Sequence, residues 1–270
     1  MRSSGIDPID ARVLLQQVLG VGHAYLIAHP RRALLEDESD RFVALTKRRR
    51  AGQPVAYLIG WREFYGRRFQ VDPTVLIPRP ETELLVDCAL QRIDSTGTTK
   101  ILDLGTGSGN VALTLAGERP GIEVVATEIS RAALVTARAN ARDLGIAHVP
   151  LLHGDWFAPV AGRHFDLIVS NPPYIAEGDA HLTQGDVGFE PRSALIAGRD
   201  GLESIRHIVT TAQRFLRPGG WLLFEHGYDQ GARCAELLNA AGYADAFLAR
   251  DLAGLARVSG ARAPSGLSRV

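Results

Sequence analysis

From Lys100 onward the chain alternates short apolar runs with stretches of helical period, an alternation that points to a largely parallel sheet joined by crossover helices. Strands are expected at 101–104, 124–127, 150–153, 165–170 and 221–225, with a last pair at 246–248 and 255–258. The intervening helices are expected at 111–117, 131–144, 202–216 and 230–241. Pro218-Gly219-Gly220 reads as a sharp turn into the fifth strand.

Open α/β sheets bind ligands at the carboxyl ends of their strands, and here those ends carry chemistry. Asp103-Leu104-Gly105-Thr106-Gly107-Ser108-Gly109-Asn110 closes the first strand and opens the first helix, where glycines admit a ligand to the backbone and a helix N-terminus offers free N–H groups. A glycine-rich turn alone is shared by many proteins. This one reads G-x-G-x-G rather than the dinucleotide G-x-G-x-x-G and follows an acid, which suits a cofactor without a pyrophosphate. Glu128 closes the second strand where an acid can accept both hydroxyls of a ribose. Asp155-Trp156 follows the third strand and offers a carboxylate and an aromatic face to an adenine. Each alone is explained as a capping acid, a strand-end acid or a half-buried indole; three at successive strand ends point to S-adenosylmethionine. Its amino-acid part and sulfonium are expected near Asp103 and the glycine loop, its ribose on Glu128 and its adenine by Trp156.

The fourth strand, Phe165-Asp166-Leu167-Ile168-Val169-Ser170, runs into Asn171-Pro172-Pro173-Tyr174. The first proline lacks the N–H a continuing ladder needs, so the strand stops there. An Asn amide, stiffened backbone carbonyls and an aromatic face are then presented together. A planar NH₂, as in a carboxamide or an adenine, is a poor nucleophile because its lone pair is delocalised. Hydrogen bonds to the Asn171 oxygen and the Pro172 carbonyl can fix its plane, with Tyr174 stacked on it. Each bond is worth about 1 kcal/mol net, whereas alignment for in-line transfer corresponds to about 7–11 kcal/mol.

Ahead of the sheet, Asp7-Pro8-Ile9-Asp10 marks a helix start and Gly20 its stop, with Ile9, Val13, Leu14 and Val18 expected on the packed face. A second helix is expected at 38–50, with Phe42, Leu45 and Thr46 inward. Val55-Ala56-Tyr57-Leu58-Ile59 and Arg68-Phe69-Gln70-Val71 read as strands of a connecting hairpin. The domain reading is a helical module at 1–53, a hairpin linker at 54–75, a catalytic domain at 76–260 and a flexible tail at 261–270. Through Asp72 there are 12 Lys/Arg against 8 Asp/Glu, densest at Lys47-Arg48-Arg49-Arg50. That run reads first as a solvated helix end favoured by the dipole, and second as a docking patch for a macromolecule. In Ile77-Pro78-Arg79-Pro80-Glu81-Thr82-Glu83, the acids either complement a helix dipole or, with Arg79, line a pocket beside the sheet.

Lys+Arg and Asp+Glu are 30 each, so the whole chain has no polyanion bias. Cys88 and Cys234 form neither a disulfide framework nor a zinc spacing, the eight histidines show no metal-ligand spacing, and His226 reads as a core or edge residue. No run approaches a membrane span, and Met1-Arg2-Ser3-Ser4-Gly5-Ile6-Asp7 lacks the apolar core of a signal peptide, so a cytoplasmic location is expected.

The sequence resembles the protein-(glutamine-N5) methyltransferases of peptide chain release factors, the PrmC/HemK family. The resemblance covers nearly the whole chain: Gln53-Pro54-Val55-Ala56-Tyr57-Leu58-Ile59-Gly60, Glu63-Phe64-Tyr65-Gly66, Leu76 to Glu83, Asp103 to Gly109, Phe165 to Ile175, Glu190-Pro191, Asp200-Gly201-Leu202, and Asp251-Leu252-Ala253-Gly254 with Arg257. Asn-Pro-Pro-Tyr is shared with amino-directed nucleic-acid methyltransferases; the 78–83 block joined to it is far more specific. The resemblance implies a class I S-adenosylmethionine-dependent fold, Rossmann-like with a mostly parallel seven-stranded sheet, a helical N-terminal domain and a connecting hairpin. It also implies methylation of the glutamine amide in a Gly-Gly-Gln motif of release factors, with the N-terminal domain helping to recognise the protein. Carried over by position, the cofactor loop is Gly105, Thr106, Gly107, Ser108 and Gly109, the ribose acid is Glu128, and Trp156 neighbours the adenine; Asp103 and Asp155 join them on the reading of the strand ends above. The acceptor site is Asn171 to Tyr174, with Arg79 and Glu81 beside it. The family usually has Asp where this chain has Glu128. A monomer with no stable nucleic-acid partner, no membrane association and no metal is expected. The alternatives are a nucleic-acid adenine-N6 methyltransferase, disfavoured by the neutral charge, and a non-catalytic cofactor-binding assembly factor.

Overall fold

The computed structural model describes residues 5–93 and 99–265, beginning with a helical module. Asp7 caps α1 (Pro8–Leu19) by accepting the Ile9 N–H at 2.7 Å, and Gly20 ends it at φ 64°. The buried stripe is Ala11, Leu14 and Val18; Ile9, expected inward, is 67% exposed, because a period of about 3.6 residues sets it opposite Ala11 and Val18. A short α2 (His23–Ala28) follows, then α3 (Glu36–Arg50), with three acids in its first turn and four bases in its last.

The stretch expected as the first hairpin strand is instead α4 (Val55–Ile59). Its β-branched and aromatic residues suit a strand, but Pro54 precedes it and Gly60, at φ 82°, donates to the Ala56 carbonyl at 2.8 Å, closing a single helical turn. The hairpin lies just beyond: β1 (Trp61–Phe64) pairs antiparallel with β2 (Arg67–Gln70). A 3-10 turn at Pro80–Thr82 then leads into α5 (Glu83–Leu90).

The remainder is the alternating α/β unit: β3 (Lys100–Leu104), α6 (Asn110–Glu118), β4 (Glu123–Glu128), α7 (Arg131–Asp143), β5 (Leu151–His153), β6 (Phe165–Ser170), α8 (Glu203–Ala212), β7 (Leu216–Glu225), α9 (Gly231–Ala240), β8 (Ala244–Arg250) and β9 (Ala256–Arg262). The sheet order is β5-β4-β3-β6-β7-β9-β8, with only β9 antiparallel to its neighbours. Leu85 of α5, Leu113 of α6 and Leu134 of α7 pack one face; Ile205 of α8 and Leu238 of α9 pack the other. Cys88 and Cys234 are buried in these two layers. Among the described residues no helix is long and apolar enough to cross a membrane.

Pro218-Gly219-Gly220 does not precede the fifth strand of the unit; it lies within β7 as an irregularity, where Phe165 pairs with Leu216 and Leu167 with Trp221. Gly219, at φ 74°, absorbs the extra residues. The expected tail is overturned at its start: Ala261 and Arg262 belong to β9, paired with β7, and the Ala263 N–H bonds Gly220 O at 2.8 Å. Residues 266–270 lie outside the described chain.

The chain steps from β3 outward to β5 and then returns to the other side of β3 as β6, so the crevice between the carboxyl ends of β3 and β6 is the topological switch point. Leu104 pairs with Ser170, whose hydroxyl donates to the Leu104 carbonyl at 2.8 Å. The glycine loop and Asn171 therefore leave the sheet at one level.

Candidate active site

A cavity of about 400 Å³ opens at this crevice, a volume suited to a small ligand. Asp103, Gly105, Thr106, Gly107, Ser108, Glu128, Asp155, Trp156, Asn171, Pro173 and Arg79 all line it. Residues far apart in the sequence thus meet: those from Asp103 to Pro173 lie in, close or follow strands of one sheet, and Arg79 joins them from the turn ahead of α5.

The cradle is built from backbone. Gly105 sits at φ 69°, a left-handed conformation other residues resist, and both its N–H and that of Thr106 bond the Thr127 carbonyl at 2.9 and 3.0 Å. Gly109 lies behind the cavity wall at φ 84°, where a Cβ would stand 2.9 Å from Leu113 Cδ1; its role is the close approach of loop and helix. Glu128 ties the cradle to β4: Oε2 accepts the Gly107 N–H at 2.9 Å and Oε1 the Ser130 N–H at 2.8 Å. Its second lone pairs remain for a ligand's hydroxyls.

Asp103 is 1% exposed, and burial pushes its carboxyl up to about 7, against the opposing bond from the Thr106 hydroxyl at 2.6 Å. Thr127, which also lines the cavity, has a buried hydroxyl without a hydrogen-bond partner among the described residues. A desolvated carboxylate with no cationic partner among the described residues, on one cavity wall with a carboxylate that has spare acceptors, fits a ligand bearing an ammonium group and a ribose. Trp156 adopts φ 41°, strained for a bulky aromatic, and this swings its indole to within 3.6 Å of where a Gly105 Cβ would stand.

On the other flank, Asn171 Nδ2 donates to Thr82 Oγ1 at 3.0 Å. Pro172 is buried between Asn171 and Pro173 of the wall. Tyr174, expected to stack on an acceptor, is half-buried, and its hydroxyl donates to Glu225 Oε1 at 3.1 Å while its carbonyl accepts from Gln230 Nε2 at 2.9 Å. Its phenol is pushed up, by burial first and then by the Glu225 charge. Arg79 pairs with buried Glu190, whose other oxygen accepts the Ile77 N–H at 3.2 Å. Burial raises the Glu190 carboxyl despite that guanidinium.

The acids at 81 and 83 divide. Glu83 turns away and accepts the Tyr65 N–H at 2.7 Å, fixing the hairpin; Glu81 is not on the cavity wall but adds negative potential at Glu225 and Arg257. The segment between Asn171 and α8 folds back through three short 3-10 turns (Ala180–Thr183, Gly185–Phe189, Arg192–Ala194), and Pro191, Ser193, Ala194 and Ile196 complete the wall. His226 is fully buried, its Nε2 2.9 Å from Ser259 Oγ.

Thr82, Glu190 and Glu225 were missed as contributors from sequence. Glu225 carried a usable signal, since it closes an apolar strand in the same way as Glu128. Thr82 carried none, being a small residue between two acids.

A parallel sheet of this order with one antiparallel strand, a glycine cradle beyond β3 and an acid closing β4 define a class I methyltransferase. Residues 80–186 match the family described as Methyltransferase small domain, and residues 2–60 the PrmC N-terminal domain. A methyltransferase from Pyrococcus furiosus shares the fold with a TM-score of 0.56 at 21% identity, over 74% of this chain and 91% of that one. More specifically, the chain is 50% identical to the release factor glutamine methyltransferase of Burkholderia pseudomallei, over 98% of this chain and 95% of that protein. It is 44% identical to that of Escherichia coli K12, over 93% and 90%. The chain belongs to the release factor glutamine methyltransferase family.

Proposed function

We propose that this protein methylates the side-chain amide nitrogen of the glutamine in the Gly-Gly-Gln motif of peptide chain release factors, with S-adenosylmethionine as donor. The observation that carries the reading is the opening of the cradle and Asn171 into one cavity from paired strands. Asp103 holds the ammonium group of the donor, Gly105, Thr106, Gly107 and Ser108 its amino-acid part, with Gly109 holding the loop, Glu128 the ribose hydroxyls, and Asp155 with Trp156 the adenine. The donor supplies an electrophilic methyl on a sulfonium.

The Asn171 oxygen and the Pro172 carbonyl accept the two N–H bonds of the glutamine amide, fixing its plane and aligning its nitrogen with that methyl. Pro173 and Tyr174 hold the turn, and Arg79, with Glu81 outside the wall, shapes the approach of the polypeptide. As the methyl–sulfur bond breaks and S-adenosylhomocysteine leaves as a neutral thioether, the nitrogen gains the methyl and loses a proton, which leaves readily once the nitrogen is cationic, so no strong base is required. The module through residue 53 recognises the protein substrate, the segment from 54 to 75 joins it to the catalytic domain, and the protein acts as a cytoplasmic monomer.

Incubation with donor and release factor, followed by mass spectrometry of the Gly-Gly-Gln peptide, tests this. One added methyl on glutamine is expected; methyl transfer only to stripped RNA or DNA would overturn it in favour of the adenine reading.

A further inference from the structure

The Asn171 side chain has two chemically opposite ends of nearly equal shape, so something must decide which one faces the cavity. The structure points to an answer below the site. Asn171 Nδ2 donates to Thr82 Oγ1 at 3.0 Å, and Thr82 is 1% exposed. The Thr82 hydroxyl also faces Glu225: burial raises that carboxyl to about 7, and the Thr82 and Tyr174 hydroxyls oppose the rise by favouring its ionised form. Asn171 and Glu225 are neighbours by topology, because Ser170 pairs with Phe224 and each residue follows one of that pair.

Glu225 is itself 1% exposed, and its Oε2 has no hydrogen-bond partner among the described residues. A buried carboxylate oxygen left unpaired opposes folding, so a bare structural role accounts poorly for the acid. Tyr174, the other end of the acceptor turn, bonds Oε1 of the same carboxylate. One buried carboxyl thus faces the residue that holds Asn171 and bonds the residue that closes the turn.

We infer that Glu225 and Thr82 are positioning residues that set the Asn171 amide with its oxygen toward the acceptor; this rests on the proposed glutamine reading. When ionised, Glu225 only accepts, and it then draws the single Thr82 hydroxyl hydrogen toward itself. Thr82 Oγ1 is then left with lone pairs alone, which select Nδ2 and turn Oδ1 into the cavity. That oxygen is the acceptor a carboxamide NH₂ requires. Glu225→Gln supplies a donor to Thr82, releases the hydroxyl hydrogen toward Asn171 and permits the reversed amide, which presents N–H to N–H.

The test measures kcat, KM for release factor and donor affinity for wild type, Thr82→Val, Thr82→Ser and Glu225→Gln. Thr82→Val and Glu225→Gln are expected to lower kcat by about tenfold or more with donor Kd within about twofold, the loss of one directed hydrogen bond in the transition state. Thr82→Ser, which keeps the hydroxyl, is expected to recover most of the turnover that Thr82→Val loses. Thr82→Val at the wild-type kcat, or Thr82→Ser as impaired as Thr82→Val, overturns the positioning role alone. A wild type that leaves glutamine unmodified overturns the parent reading and this inference with it.

Discussion

Arg49, near the end of α3, reaches Asp186 in the segment that folds over the cavity: its Nη1 donates to Asp186 Oδ1 at 2.8 Å while its Nε donates to Asp10 Oδ2 at 2.6 Å. One residue of the basic run is therefore an internal clamp joining α1, α3 and the loop beyond Asn171. Gly52 seats Phe189 of the same loop, since a Cβ there would come within 2.9 Å of the ring. Arg49→Ala is expected to leave donor affinity within about twofold while raising KM for intact release factor several-fold, because the helical module loses its register on the loop. The Arg49–Asp186 coupling in a double-mutant cycle should be about 1 kcal/mol or less, Asp186 being more than a third exposed. Equal losses of donor and release-factor affinity would remove the clamp's role in substrate handling.

Asn171→Ala should separate acceptor from donor. The side chain bonds Thr82 on one side and faces the cavity on the other. Turnover is expected to fall about a hundredfold, the scale for removing one directed polar group from a reacting centre, with donor Kd changed by less than about threefold. Isothermal titration alongside a turnover assay checks both. Comparable losses in the two would move Asn171 into the donor site.

What was legible in the sequence divides along physical lines. The sheet and its strand ends could be read because buried parallel strands are apolar runs of fixed length, and because Asp103, Glu128 and Asn171 each interrupt such a run with a polar group. Val55–Ile59 was misread because its side chains favour a strand while Pro54 and Gly60 impose a turn of helix, a contest that composition does not settle. The start of the expected tail was misread because β9 is rich in small residues and Arg, and only its pairing with β7 and β8 makes it a strand. The bond from Asn171 to Thr82 spans 89 positions and depends on how α5 packs, which no local pattern encodes. Tyr174 was assigned to the substrate because the strand end was visible, whereas Glu225, which its hydroxyl bonds, lies on another strand.

Glu128 ties the loop as well as offering spare acceptors, so its replacements should grade. Glu128→Ala frees the Gly107 and Ser130 N–H groups and is expected to weaken donor binding at least about tenfold, the range for hydrogen bonds to a charged group. Glu128→Asp retains the charge but is one methylene short of spanning Gly107 and Ser130, and should fall between wild type and Glu128→Ala. Equilibrium dialysis with labelled donor measures the series; an unchanged Kd in Glu128→Ala would end the ribose assignment.

Asp103 makes a prediction whose sign follows from its burial. Its carboxyl lies at about 7 in the folded protein against an ordinary value of 3.8, so the folded chain holds the proton where the unfolded chain has released it. Below about pH 4 both states are protonated and the group is neutral to stability; from there to about pH 7 the donor-free protein loses up to about 1.4 kcal/mol per pH unit on its account, and above that the loss is constant. A bound ammonium reverses the balance by stabilising the carboxylate, so donor binding near pH 6 should expel up to about one proton, and affinity should rise between about pH 6 and pH 8. Calorimetry in two buffers of different ionisation enthalpy counts that proton. Asp103→Asn, of nearly the same shape, should abolish the proton release, flatten the pH dependence of affinity and make the donor-free protein more resistant to heat near neutral pH. A variant that still releases the proton would assign it to another group and leave Asp103 without its ammonium partner.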